Sequence, residues 1–243
     1  MIAAIVQARM GSSRLPGKVL MDICGKTMIH RILDAASRAK NVNALIAAIP
    51  DGPDDNELFE HIRLLGFEVY RGSTDDVLAR FHGAATKLGL KSGDGVVRLT
   101  ADCPLMLPEM IEQVVDAFAK NSVTYASNVR PPTYPDGLDV EVFSFDDLES
   151  AHRNARKTSE REHVTPYVYE TASASINLRN RTDLSDIRLT VDHIDDLEFV
   201  REYVQRFTCV DLKVIRDQVS LISDARSHMR NEGYQKSLKE EST

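Results

Sequence analysis

Three cations, Arg9, Arg14 and Lys18, are interleaved with Gly11, Ser12, Ser13, Pro16 and Gly17 directly after a short apolar run, Ile2 to Val6. Glycine lets a backbone turn tightly and approach a ligand closely, so such a loop can aim its N–H groups inward. Guanidinium forks and an ammonium added to those amides make a cradle for a polyanion, most simply a triphosphate. The alternative is a solvated basic loop after an ordinary strand. The stretch GSSRLPGK runs on into Val19, so it is not a P-loop, and it carries no GxGxxG.

A second group is acidic. Asp102 lies in RLTADCP and Asp192 in TVDHIDDL, each where a strand-like run passes into a polar turn. Two carboxylates at strand ends on one edge can hold a hard divalent cation such as Mg²⁺, leaving coordination positions for phosphate oxygens and water. The alternative is that each caps the helix that follows it, and Asp195 and Asp196 compete with Asp192 for the ligand role. Together the two groups suit attack on the α-phosphate of a nucleoside triphosphate, where catalysis is mainly positioning and electrostatic stabilisation of charge on the non-bridging oxygens and the leaving pyrophosphate. Lys18 and the metal would serve the α-phosphate; Arg9 and Arg14 would serve the β- and γ-phosphates.

A third segment, SEREHVTPY, places Arg161, Glu162 and His163 beside aromatics and could line an acceptor pocket, with Arg161 or His163 facing a carboxylate. Ser159 with Glu162 also reads as a plain capping box. Asp139 and Glu141 alternate with Leu138, Val140 and Val142, which predicts a strand with one wet or ligand-facing side where those two acids hold sugar hydroxyls or meet solvent. His30, His61, His82 and His152 read as surface residues.

The elements that must position these groups follow from hydrophobic spacing. Apolar runs predict buried strands at 2–6 and 44–49, and further strands are expected at 67–70 and 95–100. Helical stripes separate them: Met28 to Ala39 capped by Thr27, Leu58 to Leu65, Val77 to Leu88, and Met110 to Phe118 entered through Pro108. Strands alternating with helices predict βαβ crossovers and a mostly parallel sheet, whose ligands bind beyond the carboxyl ends of the strands. That rule gathers the basic loop, the turn from Arg71 to Asp76 and the turn from Thr100 to Pro104 on one edge. In the second half, three of nine prolines stiffen residues 130–137. Further strands are expected at 138–143, 175–178 and 187–191, and helices from Ser144 to about Arg156, from Leu197 to Phe207 and from Leu212 to Ile222, before a polar tail from about Gly233.

The 243 residues suit one α/β domain with a modest addition. A net charge of −7 argues against a nucleic-acid partner, and no apolar run is long enough for a membrane span. The apolar start lacks a basic flank and reads as a strand rather than a signal peptide. Three scattered cysteines without metal spacing suit reduced thiols in a cytoplasmic protein.

The stretch from Ala8 to Lys18, ARMGSSRLPGK, followed by Gly25-Lys26-Thr27-Met28-Ile29, resembles the opening of the sugar-activating nucleotidyltransferases. The chain is most similar to the cytidylyltransferases that activate acidic sugars, in their spore-coat polysaccharide branch, over roughly residues 1–207. Gln7 departs from the proline usual in the enzymes that activate 3-deoxy-octulosonate. The resemblance implies an α/β, Rossmann-like nucleotidyltransferase sandwich (GT-A-like) with a mostly parallel central sheet and helices on both faces. It implies one domain over 1–243, with a nucleotide-binding half (1–128), an acceptor half (129–210), and a C-terminal helix and tail (211–243). CTP and an acidic sugar become the expected substrates, Mg²⁺ the cofactor on Asp102 and Asp192, and Lys18, Arg14 and Asp102 the catalytic set. Nucleotide contacts are expected from Ala8, Arg9, Gly11, Ser12, Ser13, Thr100 and Ala101. The base would be read by Arg71, Ser73, Thr74 and Asp75 with Arg80, although Ser73 or Thr74 also suits a helix cap. Matching stretches give Asp139, Glu141, Arg161, Glu162 and His163 to the acceptor. A glycosyltransferase would want an Asp-x-Asp motif, which the chain lacks, and a silent nucleotide-binding module would not need Lys18, Asp102 and Asp192 together. The assembly, monomer or homodimer, is left open.

Overall fold

The computed structural model describes residues 1–222, so the expected polar tail from about Gly233 lies outside the described residues. In chain order the elements are β1 (Ile2–Gln7), a 3-10 turn (Lys18–Leu20), β2 (Asp22–Ile23), β3 (Lys26–Thr27), α1 (Met28–Arg38), β4 (Ala44–Pro50), a second 3-10 turn (Pro53–Asp55) and α2 (Asn56–Leu64). Then come β5 (Glu68–Gly72), α3 (Val77–Lys87), β6 (Gly95–Thr100), α4 (Pro108–Lys120) and β7 (Tyr125–Ser127). They are followed by β8 (Glu141–Ser144), α5 (Phe145–Asn154), α6 (Thr158–His163), α7 (Thr165–Thr171), β9 (Ser175–Asn177), α8 (Ile194–Arg206) and α9 (Ile215–Ser220).

Seven strands form one sheet in the order β5-β4-β1-β6-β8-β7-β9. β5, β4, β1 and β6 are mutually parallel, and β8 alone runs against its neighbours β6 and β7. The period of two along β1 divides the core: Ala4 and Val6 join one hydrophobic cluster with α1, α2, α4, α8 and α9. Ala3 and Ile5 face the other, with α3, α5 and α7. The sheet is therefore buried on both faces, which is why its central strands read as unbroken apolar runs. Each fully enclosed Ile or Leu contributes about 1.5–3 kcal/mol of transfer free energy.

Two expected strands differ in kind. Residues 187–191 are extended, with Ile187, Leu189 and Val191 fully buried, yet they form no ladder beyond a single bridge from Arg188 to Asp136. Their backbone groups pair with an irregular loop instead: Leu189 N–H donates to Asp136 O (2.7 Å) and Val191 N–H to Asp102 O (2.9 Å). Likewise β8 begins at Glu141 rather than Leu138, because the buried Asn128 side chain stands in for a strand. It donates to Leu138 O (2.7 Å) and accepts from Val140 N–H (2.9 Å). The loop between them passes so close to 189–190 that a Cβ on Gly137 would lie 2.9 Å from the Leu189 carbonyl carbon, and Gly137 sits at φ 104°. Only glycine fits there.

Candidate active site

The loop after β1 closes on one carbonyl. Met10 O accepts from Ser12 N–H (2.8 Å) and Gly17 N–H (3.0 Å), the latter with Gly17 in the left-handed region at φ 71°. Met10 N–H in turn donates to the buried carboxylate of Asp55 (2.7 Å), which pins the loop to the turn after β4. Among the described residues no protein acceptor faces the amides of Gly11, Ser13 and Arg14. The loop thus offers free N–H groups beside its cations, as an anion cradle requires.

Gly17 hands the chain to Lys18, whose side chain runs inward and is nearly buried. Its ammonium donates to Val191 O (2.6 Å) and to Asp192 Oδ1 (2.9 Å), and lies 3.8 Å from Asp102 Oδ2. Arg14 Nη2 meets the same Asp192 oxygen at 2.8 Å. The two aspartates converge because Asp102 follows β6 while its backbone carbonyl holds the Val191 amide. Asp192 does not cap α8. Asp196 does, accepting from the amides of Asp192 and His193 (both 2.8 Å), while Asp195 is exposed. Arg188 locks the arrangement, donating to Asp192 Oδ2 (2.8 Å) and to both oxygens of Asp196. Burial alone would raise the Asp192 carboxyl. The hydrogen bond from Lys18 and the charges of Lys18, Arg14 and Arg188 outweigh it and hold the group below the usual carboxylate range.

These residues line a cavity of about 280 Å³ at the carboxyl edge of the parallel strands. Of the expected set, the cavity brings together Ala8, Arg9, Ser12, Ser13, Arg14 and Lys18 from the loop, Thr100, Ala101 and Asp102 from β6 and its turn, Asp192, and Arg80 on α3. Glu162 and His163 reach it from the last turn of α6. That turn ends at Val164, a fully buried β-branched residue held at φ 70°, a strained conformation that separates α6 from α7. The donor set suits a metal. Asp102 and Asp192 both bring carboxylate oxygens to the Lys18 ammonium, and among the described residues no group of three or more ligating side chains gathers, here or elsewhere, so protein would supply two ligands only. A hard cation held by two carboxylates completes its shell with phosphate oxygens and water.

Several expectations are corrected. The Arg71-to-Asp76 turn is on the right edge but not beside the phosphate loop, because β4 lies between β5 and β1. Arg71 is committed to Pro50 O, Gly52 O and Asn56 Oδ1, while Ser73, Thr74 and Asp75 are exposed and outside the cavity. The cap of α3 is Asp76, accepting from Ala79 N–H (2.9 Å). Arg161 pairs with that same Asp76 and donates to His152 O (2.9 Å), so it docks α6 on α3 rather than facing an acceptor. The capping glutamate of α6 is Glu160, which accepts from Lys157 N–H, rather than Glu162. Glu141 is not on a wet face: it is buried, bound by Arg98 (2.7 Å), the Tyr125 hydroxyl (2.6 Å) and Thr165 (3.2 Å). Asp139 lies outside this cavity, and burial followed by the carboxylates of Asp136, Glu141 and Asp102 pushes its carboxyl well above the usual range. His82 and His152 are half-buried and stacked at 4.2 Å rather than free on the surface. Gln7, Val77 and Arg188 carry no expected site role, yet Gln7 and Val77 line the cavity and Arg188 holds Asp192. Gln7 was legible as the polar residue ending the Ala3–Ile5 face, and Arg188 as the cation in the alternation before Asp192.

A mostly parallel sheet carrying a basic glycine loop, with two aspartates around a lysine at its carboxyl edge, is the arrangement of a nucleotidyltransferase. The chain belongs to the cytidylyltransferase family, whose model matches residues 3–238. It is 34% identical to an uncharacterised protein of Methanocaldococcus jannaschii over 96% of this chain and 97% of that one. It is 30% identical to the spore coat polysaccharide biosynthesis protein SpsF of Bacillus subtilis over 84% and 87%. Among solved structures, a cytidylyltransferase from Leptospira borgpetersenii superposes with a TM-score of 0.81 at 30% identity, covering 95% of this chain and 97% of that one. A CMP:2-keto-3-deoxy-manno-octonic acid synthetase complexed with CTP shares the fold at a TM-score of 0.64 and 18% identity, over 84% and 98%.

Proposed function

We propose that this cytidylyltransferase transfers CMP from CTP to a hydroxyl of an acidic sugar, releasing pyrophosphate, in the synthesis of a surface polysaccharide. The observation that carries the reading is the Lys18 ammonium seated between Asp102 and Asp192 at the end of a loop with unpaired amides. The amides of Gly11, Ser13 and Arg14, with the Arg9 and Arg14 side chains, bind the β- and γ-phosphates. Lys18 is placed to stabilise charge on the α-phosphate oxygens as the sugar oxygen attacks and pyrophosphate leaves. Asp102 and Asp192 would hold Mg²⁺, which when bound supplies further charge neutralisation at those oxygens. Lys18, then Arg14 and Arg188, keep Asp192 ionised, and the hydrogen bond from Arg188 orients it. Residues 1–128 supply the nucleotide side and 129–210 the acceptor side, with Glu162 and His163 at the cavity mouth.

The similarity to SpsF supports the polysaccharide setting, and the three free thiols suit the cytoplasm. Pyrophosphate release from CTP, measured with Mg²⁺ against a panel of sugar acids, tests the reading. Release that depends on one acceptor supports it, and a panel that leaves CTP intact counts against it.

A further inference from the structure

Two anchors hold the chain on either side of His163. Two residues before it, Arg161 pairs with Asp76 and donates to His152 O (2.9 Å), which fixes α6 to α3 and α5. Two residues after it, the buried Thr165 directs its hydroxyl to Glu141 Oε2 (3.2 Å), with His163 O 3.5 Å from the same hydroxyl. Glu141 is itself buried and tied across the sheet. Arg98 on β6 donates to Oε2 (2.7 Å) and the Tyr125 hydroxyl on β7 donates to Oε1 (2.6 Å). The carboxylate thus joins the start of α7 to β6, β7 and its own strand β8. Between the anchors lies Val164, at φ 70° and ψ −55°. That is a γ-turn geometry, rare and strained for a residue with a Cβ. A β-branched residue persists there only where its surroundings over-determine it. Val164 is fully buried in the cluster shared with α3, α5 and α7, and the residues flanking it are fixed on both sides. The turn leaves Glu162 and His163 on the cavity wall.

Resting on the proposed cytidylyl transfer, we infer that Glu141 and Thr165 are positioning residues: together they hold the strained turn at Val164 and so keep Glu162 and His163 on the acceptor side of the cavity. Neither lines the cavity, and both act through the backbone of 163–165. Released from the Thr165 hydrogen bond, Val164 returns to a negative φ and the end of α6 turns off the wall. The effect falls on the acceptor, because the loop after β1, Lys18 and the two aspartates are carried by other segments of the chain. Glu141 thereby serves the acceptor side at one remove, as the post to which its wall is tied.

The test uses the full chain carrying Thr165→Val, which is close to threonine in shape and lacks the hydroxyl. Glu141 keeps Arg98 and Tyr125, so its carboxylate stays paired and the fold survives. With the acceptor found in the sugar-acid panel, kcat/KM for that acceptor should fall by at least about tenfold, while the dissociation constant for CTP with Mg²⁺ moves by less than about twofold. Thr165→Ser, which keeps the hydroxyl, should match the wild type in both. A crystal structure of Thr165→Val should show Val164 at negative φ and His163 off the cavity wall. An unchanged kcat/KM overturns the inference, as does equal weakening of acceptor and CTP, the signature of a purely structural role. A loss shared by Thr165→Ser overturns it too, and so does a Val164 still at positive φ with His163 in place. Each of these leaves the cytidylyl-transfer reading standing. A wild type that turns over no acceptor counts against that reading, and the crystal structure then decides the positioning claim by itself.

Discussion

Lys18 Nζ stands 2.9 Å from Asp192 Oδ1 across 174 residues of sequence. The contact joins the loop after the first strand to the segment that enters α8. An ammonium so placed holds a carboxylate that would otherwise be costly to enclose; two of its three donors go to Val191 O and Asp192 Oδ1, and the proposed reaction assigns the third to a phosphoryl oxygen. In the proposed reaction one contact would serve folding before the nucleotide arrives and chemistry afterwards.

Lys18→Ala should lower turnover by about 10³-fold, the scale expected when one pre-placed charge is removed from a transition state. The fold should survive, because Asp192 keeps Arg14 and Arg188. Pyrophosphate release read beside near-ultraviolet circular dichroism checks both halves. Normal turnover would remove Lys18 from the mechanism.

The three aspartates of the 192–196 cluster should separate cleanly. Asp192→Asn should raise the Mg²⁺ concentration needed for half-maximal activity, and Asp195→Asn should behave as wild type because that side chain is exposed. Asp196→Asn should lower stability by about 2–3 kcal/mol, since Asp196 is buried, pairs with Arg188 and caps two amides. Metal titrations and thermal melting distinguish these outcomes.

Acid should loosen the joint between α3 and α6. Burial raises the Asp76 carboxyl, but the hydrogen bonds from Arg161 and from the Ala79 amide bring it below its ordinary value. With a depressed folded pKa, the unfolded state binds the proton first. The contribution is full above the unfolded value of about 3.9 and is lost as pH falls toward the folded one. Asp76→Asn should therefore flatten the acid limb of a plot of melting temperature against pH, and an unchanged limb would assign that limb to other carboxylates.

Gly137→Ala should destabilise the protein by more than the ~1–2 kcal/mol of a left-handed backbone alone. The new Cβ would also meet the backbone of Leu189 and Thr190, which leads to Asp192. Thermal melting and the Mg²⁺ requirement should move together in this variant. Wild-type values for both would show that the loop and the 189–190 segment yield without effect.

The parallel half of the fold is legible in the sequence because β1 and β4 are enclosed on both faces and write nearly uninterrupted apolar runs, and β6 breaks its own only at Arg98. The basic loop is legible as a cluster for a local reason: its cations and glycines lie within ten residues, Arg9 to Lys18. What escapes is non-local. The alternation at 187–191 correctly reports burial, but burial says nothing of the partner, and here the partner is a loop. Asn128 replaces a strand at 138–140, and no composition signals that a side chain will imitate a backbone. Asp139 and Glu141 alternate as a wet face would, yet Glu141 closes on Arg98, a residue of the neighbouring strand. The 71–76 turn shares the site's edge but is displaced by one strand, since strand order is a property of the sheet and not of the chain.

The measurement that tests the central claim most directly is phosphorus NMR of CTP incubated with the protein, Mg²⁺ and a panel of acidic sugars. Attack at the α-phosphate predicts inorganic pyrophosphate and one new phosphodiester resonance rising together, both abolished in Lys18→Ala. Orthophosphate with CDP, or CTP unchanged across the whole panel, would contradict it.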